Sequence, residues 1–135
     1  KHVRILGPER SATQIELAQT DCRNIGIKAP VRSSGDTKGT PGVTLRGPNG
    51  TLTVPEGVMI ADRHIHMTPA QAAAFGLANG DRVQVKIDGP KPGVMGGVLI
   101  RANGKCALDF HIDTDDGNAF LLKQGQLVTV LGKEE

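Results

Sequence analysis

With 135 residues, the chain can form one domain or two very small ones sharing an interface. Aromatic residues make up only 2%, so the core must come from Val, Ile, Leu and Ala, and a nucleic-acid binder that stacks bases on aromatic rings is disfavoured. The net charge is +2 with basic residues scattered, which argues against a polybasic tail or a nucleic-acid stripe.

The first predicted element is a strand over 2–7, "HVRILG", and the alternation in "TQIEL" predicts a second over 13–17. A short helix is expected over 18–27, with Thr20 or Asp21 near its N-cap and Gly26 as its stop. The Ser/Gly/Pro-rich stretch 29–42 reads as a loop. Residues 43–54 read as a hairpin turning at Gly47-Pro48-Asn49-Gly50. A strand over 56–67 runs into a histidine pair, and a helix follows over 68–77 with Thr68 as N-cap, Pro69 at N1 and Gly76 closing it. A turn and strand over 79–88, strands over 97–103, 106–113 and 126–132, and a helical turn over 115–122 complete the chain. So many short elements, with 18 glycines and 8 prolines at their joints, point to a barrel or sandwich. No apolar run approaches the roughly 18–20 residues of a membrane span, and no signal peptide is visible. The chain opens without Met inside a strand-like pattern, so a fragment or a processed start is expected.

An internal repeat is expected as well. Residues 3–21 lie on 98–116 without gaps, matching Val3 to Val98, Ile5 to Ile100, Ala12 to Ala107 and Asp21 to Asp116. The same alignment sets Arg10 on Lys105 and Glu16 on His111. It implies two similar β-rich units, with any first counterpart of the histidine segment lying before Lys1.

Residues i and i+2 of a strand share a face, so His64 and His66 project together in "DRHIHM". Two imidazoles at this spacing can bind one Zn²⁺, or two neighbouring ions, at about 2.0–2.1 Å from each nitrogen. The competing reading is two surface histidines on an amphipathic strand. His111, in the alternating "DFHID", offers a third imidazole, and Glu16 offers a carboxylate through the repeat; together they make a His/Glu site with an open position. His2 reads as bland. Arg10, in the turn "GPERS", and the loop "RSSG" with Arg32 and Ser34 suit a phosphate-type anion, although each alone also reads as a polar turn. Asp113, Asp115 and Asp116 lack the ligand series of a calcium loop, so Asp115 or Asp116 is expected to cap the following helical turn. No P-loop, G-x-S-x-G elbow or C-x-x-C pair is present, and Cys22 and Cys106 read as reduced, inert thiols.

"LGPERSATQIELAQTDCRNIGIKAPVRSSGD", "ADRHIHMTPAQAAAFGLANGDRV" and "DFHIDTDDGNA", in this order, resemble the phosphate propanoyltransferases of bacterial microcompartments, a phosphotransacylase family. The resemblance covers nearly the whole chain. It implies a mainly β fold of two small β-barrel domains capped by short α-helices, divided here as 1–55, the remainder of the first barrel, and 56–135, the second. It implies conversion of acyl-CoA and phosphate to acyl phosphate and coenzyme A by direct transfer, with propanoyl-CoA as the expected substrate. Two zinc ions belong to the complete site, and His64, His66, His111 and Glu16 match the metal ligands. Arg10 matches a phosphate-contacting arginine; Ser34 and Asn118 are further substrate candidates. A homodimer in the bacterial cytoplasm is expected, inside the microcompartment lumen, with shell association through an N-terminal peptide that this sequence does not show. The earlier H-x-H pair of the family is also absent here. The alternatives are a non-catalytic metal-binding β-barrel module with a structural or assembly role, and a metal-free adaptor whose histidines are surface residues.

Overall fold

The computed structural model describes residues 2–7, 9–104 and 107–134; Lys105 and Cys106 therefore lie outside the described residues. In chain order the elements are β1 (Ile15–Glu16), α1 (Gln19–Ile25), β2 (Val31–Arg32), β3 (Val43–Gly47), β4 (Gly50–Val54), β5 (Val58–Ala61), β6 (His64–His66), α2 (Pro69–Ala74), β7 (Arg82–Ile87), β8 (Gly93–Arg101), β9 (Asp109–His111), α3 (Thr114–Phe120) and β10 (Thr129–Lys133). The fold is mainly β with three short helices among the described residues, none long and apolar enough to cross a membrane.

Local chemistry accounts for most of these bounds. Thr68 caps α2 in a full capping box: its hydroxyl accepts from Gln71 N–H at 3.2 Å, and Gln71 Oε1 accepts from Thr68 N–H at 2.9 Å, with Pro69 in the first turn. The hairpin pairs Gly47 with Gly50 across Pro48-Asn49, as the turn residues require. β7 alternates without error, Val83, Val85 and Ile87 buried and Arg82, Gln84 and Lys86 exposed.

Other expectations are corrected. Residues 2–7 form no strand; Ile5 is 99% exposed, and the alternation finds no partner strand among the described residues. The predicted strand 56–67 is two strands, β5 and β6, in different sheets. β8 starts at Gly93 rather than 97, because Gly96-Gly97 is a bulge inside the strand: Val83 and Val85 face Val98 and Met95, and Gly97 has a φ of 66°. Ala18, without a side-chain hydrogen bond, stands at the N-cap of α1 in place of Thr20 or Asp21. At α3 the cap is Asp113, whose carboxylate accepts from Asp116 N–H at 2.9 Å, and not Asp115 or Asp116. Asp115 serves the other helix instead, accepting from Thr20 N–H at 2.8 Å.

The strands form a three-stranded sheet β1-β5-β2, the hairpin β3-β4 and a five-stranded sheet β10-β7-β8-β6-β9. The first core gathers Ile15, Leu17, Cys22, Val54, Val58 and Ile60; the second gathers residues from Ile65 to Ala102, including Met67, Val83, Val98 and Ile100. The chain passes from one core to the other between Ile60 and Ile65, immediately before the histidine pair. The sheets are not closed into barrels. β9 and β10 each have one neighbour, and in place of the roughly 4.8 Å spacing of paired strands they share a cavity of about 690 Å³, which Phe110 and Ile112 line with Val128 and Val130.

Candidate metal centre

β6 lies between β8, parallel to it, and β9, antiparallel to it. The register places His64 opposite His111, and the two-residue period sets His66 on the same face as His64. Alternation sends Ile65 the other way, into the second core. Three imidazoles therefore converge from two strands. Ring centroids are 4.7 Å apart for His64 and His66, 5.0 Å for His64 and His111, and 4.9 Å for His66 and His111. One nitrogen from each ring lies within 4.8 Å of the others, an arrangement that could hold a metal ion.

The donor chemistry fits such an ion. His64 Nδ1 lies 2.8 Å from the carbonyl oxygen of Asp62; a carbonyl only accepts, so Nδ1 carries the proton and Nε2 presents its lone pair to the cluster. Asp62 is itself held, its carboxylate clamped by Arg82 with Nη2–Oδ2 at 2.6 Å. His64 Nε2 and His66 Nε2 are 3.2 Å apart, close to the roughly 3.3 Å edge of a tetrahedron with metal–nitrogen bonds of about 2.05 Å. Without an ion, that contact needs a proton on His66 Nε2, which leaves Nδ1 of the same ring buried and without a partner. An ion at Nε2 replaces that proton. Burial holds His64 below the ordinary histidine pKa, and the positive charges of Arg101 and His111 add to it against the Asp62 carbonyl. Burial also lowers His66, followed by the charges of His64, His111 and Arg101. Both rings are thus kept neutral, the state in which imidazole ligates a metal. His111 is more exposed, with its Nε2 3.5 Å from Asp109 Oδ2.

A cavity of about 430 Å³ opens beside the cluster, lined by His64 and His111 on one side and by Glu16, Leu17 and Ala18 on the other. Glu16 shares this cavity without joining the three-imidazole group. Its carboxylate begins a polar chain. Gln14 Nε2 donates to Glu16 Oε1 at 2.6 Å and to Ser34 Oγ at 3.0 Å, and Gln14 Oε1 accepts from Gly35 N–H at 2.7 Å. Arg10 Nη1 donates to the same Ser34 Oγ at 3.1 Å. Arg10, Ser34 and Glu16, three separate candidates in the sequence, are therefore linked through Gln14. That residue went unnoticed in the sequence, although the strand period already sets it on the same face as Glu16. Asp62 acts through its backbone, and no side-chain pattern announces that.

Asn118 does not join the group: it is exposed on α3, outside the residues lining the cavity. Arg32 pairs with Asp36. Cys22 is fully buried in the first core, and its thiol pKa is raised by that burial, so it is the inert thiol expected. His2 lines the cavity from its outer, exposed side.

The sequence matches the family model described as phosphate propanoyltransferase over residues 1–123. It is 46% identical to the phosphate propanoyltransferase of Thermotoga maritima over 132 residues, covering 97% of this chain and 63% of that protein. It is 44% identical to that of Lachnoclostridium phytofermentans over 131 residues, covering 97% and 62%. With the Salmonella typhimurium protein it shares 48% over 120 residues, covering 88% and 57%. The chain thus spans about 57–63% of the length of these curated relatives. A match over most of its residues, running through the histidine cluster and the segment from Arg10 to Glu16, shows that the chain belongs to the phosphate propanoyltransferase family.

Proposed function

We propose that the chain carries the catalytic face of a zinc-dependent phosphate acyltransferase that interconverts acyl-CoA and phosphate with acyl phosphate and coenzyme A, with propanoyl-CoA as the acyl donor. The observation that carries this reading is the convergence of His64, His66 and His111 beside the cavity that His64, His111 and Glu16 line, with Glu16 tied through Gln14 to Ser34 and Arg10. The three histidines would hold one zinc ion, and Glu16 would belong to the second of a two-ion site. Bound zinc supplies Lewis acidity toward a carbonyl or phosphate oxygen.

The chain's own residues do the positioning. Arg10 and Ser34 hold phosphate oxygens, and Gln14 fixes Ser34 relative to Glu16. A phosphate oxygen attacks the thioester carbon; the new C–O bond forms, the C–S bond breaks, and coenzyme A leaves as the thiolate. Orientation of the phosphate contributes most of what Arg10 adds. Cys22 is fully buried and does not line the cavity, so it takes no part in the transfer. Asn118 enters only as a contact to a ligand that reaches beyond the cavity. A homodimer in the microcompartment lumen belongs to the same reading, and sedimentation and shell fractionation test it.

The deciding experiment measures coenzyme A release from propanoyl-CoA and phosphate by the zinc-loaded and the metal-stripped protein. Loss on stripping and recovery with zinc are expected. Unchanged turnover after stripping would sink the zinc dependence. Zinc binding without any turnover would leave the non-catalytic metal-binding module.

A further inference from the structure

Arg101 closes β8, and the parallel register sets it beside His66. On the other side of His66 the antiparallel register sets Asp109. Asp109, His66 and Arg101 thus form one row across three strands, all on the face that carries the cluster. The backbone at this point is pinned, Met67 N–H donating to the Arg101 carbonyl at 3.3 Å.

The guanidinium is unlike its neighbours in having no partner among the described residues. Arg63 pairs with Asp116 at 3.2 Å, Arg82 with Asp62 at 2.6 Å, and Arg10 bonds Ser34. Asp109, the carboxylate in the same row, turns to His111. Among the described residues no carboxylate pairs with Arg101 and no side-chain hydrogen bond engages it, yet it is half-buried and its charge reaches both His64 and His66. A partly desolvated cation without a counter-charge is unfavourable, and an anion bound beside it offsets that cost. Its planar fork of N–H donors matches two oxygens of a phosphate group.

We propose that Arg101 binds the phosphate substrate at the histidine cluster, a second guanidinium contact besides Arg10. This rests on the functional reading above, with the oxyanion drawn from free phosphate rather than from the phosphates of coenzyme A.

The test is calorimetric titration of the protein, loaded with zinc and freed of excess metal, with inorganic phosphate and separately with coenzyme A. The wild type is compared with Arg101→Gln and Arg101→Lys. Loss of a charge-assisted bidentate contact should weaken phosphate binding by at least about tenfold in Arg101→Gln and by less in Arg101→Lys. Thermal melting and coenzyme A binding should stay at wild-type values in both, and zinc affinity should not fall in either. Wild-type phosphate affinity in Arg101→Gln would overturn the assignment, as would a wild type that binds no phosphate. Weakening confined to coenzyme A would also overturn it and give Arg101 to the cofactor's phosphates. If the wild type takes up no zinc, the functional reading fails instead; phosphate titration of the metal-free proteins then decides on Arg101, with the same ranking expected.

Discussion

Two stretches of the molecule, 15–27 and 110–122, have nearly the same backbone and different chemistry. Shifting the first by 95 residues carries Gln19–Ile25 onto Thr114–Phe120, the bounds of α1 and α3. The hydrogen bonds shift with it. Cys22 N–H to Ala18 O becomes Gly117 N–H to Asp113 O, and Ile27 N–H to Cys22 O becomes Leu122 N–H to Gly117 O. Each helix ends on a left-handed residue, Gly26 at φ 73° and Leu121 at φ 53°. Just ahead of the helix the copies diverge, Glu16 standing where the second has His111, and both line one cavity. The fold has thus presented the same strand–helix unit twice to the same space, once with a carboxylate and once with an imidazole.

The largest break in that symmetry should appear in metal binding. His111 belongs to the three-imidazole group and Glu16 does not. With zinc as the probe, competition with a chelator should therefore show His111→Ala losing at least about a hundredfold in affinity for an ion at the three-imidazole group, more than is usual for removing a supporting residue. Glu16→Ala should leave that ion within about tenfold of wild type. Equal losses in the two variants would mean that both copies serve one ion.

The helix ends come next. A side chain in the left-handed region costs roughly 1–2 kcal/mol, so Gly26→Leu, which makes the first copy resemble the second, should destabilise by about that amount in urea unfolding. Leu121→Gly, the reverse exchange, should gain less, because relief of strain is partly offset by lost contacts of a half-exposed side chain. The N-termini differ more subtly. α3 carries its own cap in Asp113, whereas α1 takes an acceptor from the other copy through Asp115. Asp113→Ala should cost about 1 kcal/mol. Asp115→Ala should cost a comparable amount or less and speed hydrogen exchange at Thr20, far away in sequence; unchanged exchange there would show that the copies are not coupled by this bond.

The same comparison shows how far the sequence could be read. The repeat holds over its strand–helix half, where Asp21 matches Asp116 and Glu16 stands on His111, because helix stops and caps are local signals; the Val3–Val98 and Ile5–Ile100 matches fail, Val3 and Ile5 being exposed outside any strand while Val98 and Ile100 are buried in β8. α2 and β7 were legible for the same reason. The cross-copy cap at Thr20 was not, because a carboxylate 95 residues away replaces what the local sequence lacks. The 2–7 segment misled because alternation reports a face and not a partner strand. The bulge at Gly97 hid the first half of β8, since paired glycines inside a strand resemble a turn. At the site, residues with ligand chemistry were legible one by one. Gln14 and the carbonyl of Asp62 act by joining them, and a joining role carries no motif.

The smallest expected difference between the copies is in pH response. His64, partner of the second copy's His111 across the strands, has its folded pKa below the ordinary value of 6.5 because burial disfavours the cation. Between that lowered value and 6.5 the unfolded chain binds more protons than the folded one, so stability rises with pH through this window. The contribution is fully present above 6.5 and is lost as pH falls toward the folded pKa. His66 adds a slope of the same sign, also from burial. Metal-free protein should therefore lose stability on acidification from pH 7 toward 5.5, and His64→Asn should flatten that slope. Glu16→Gln, at the matching place in the first copy, removes a negative charge that partly holds up the His64 pKa and should steepen the slope slightly rather than flatten it. Urea unfolding midpoints measured across this range give the comparison directly, and an equal slope in wild type and His64→Asn would remove His64 as its source.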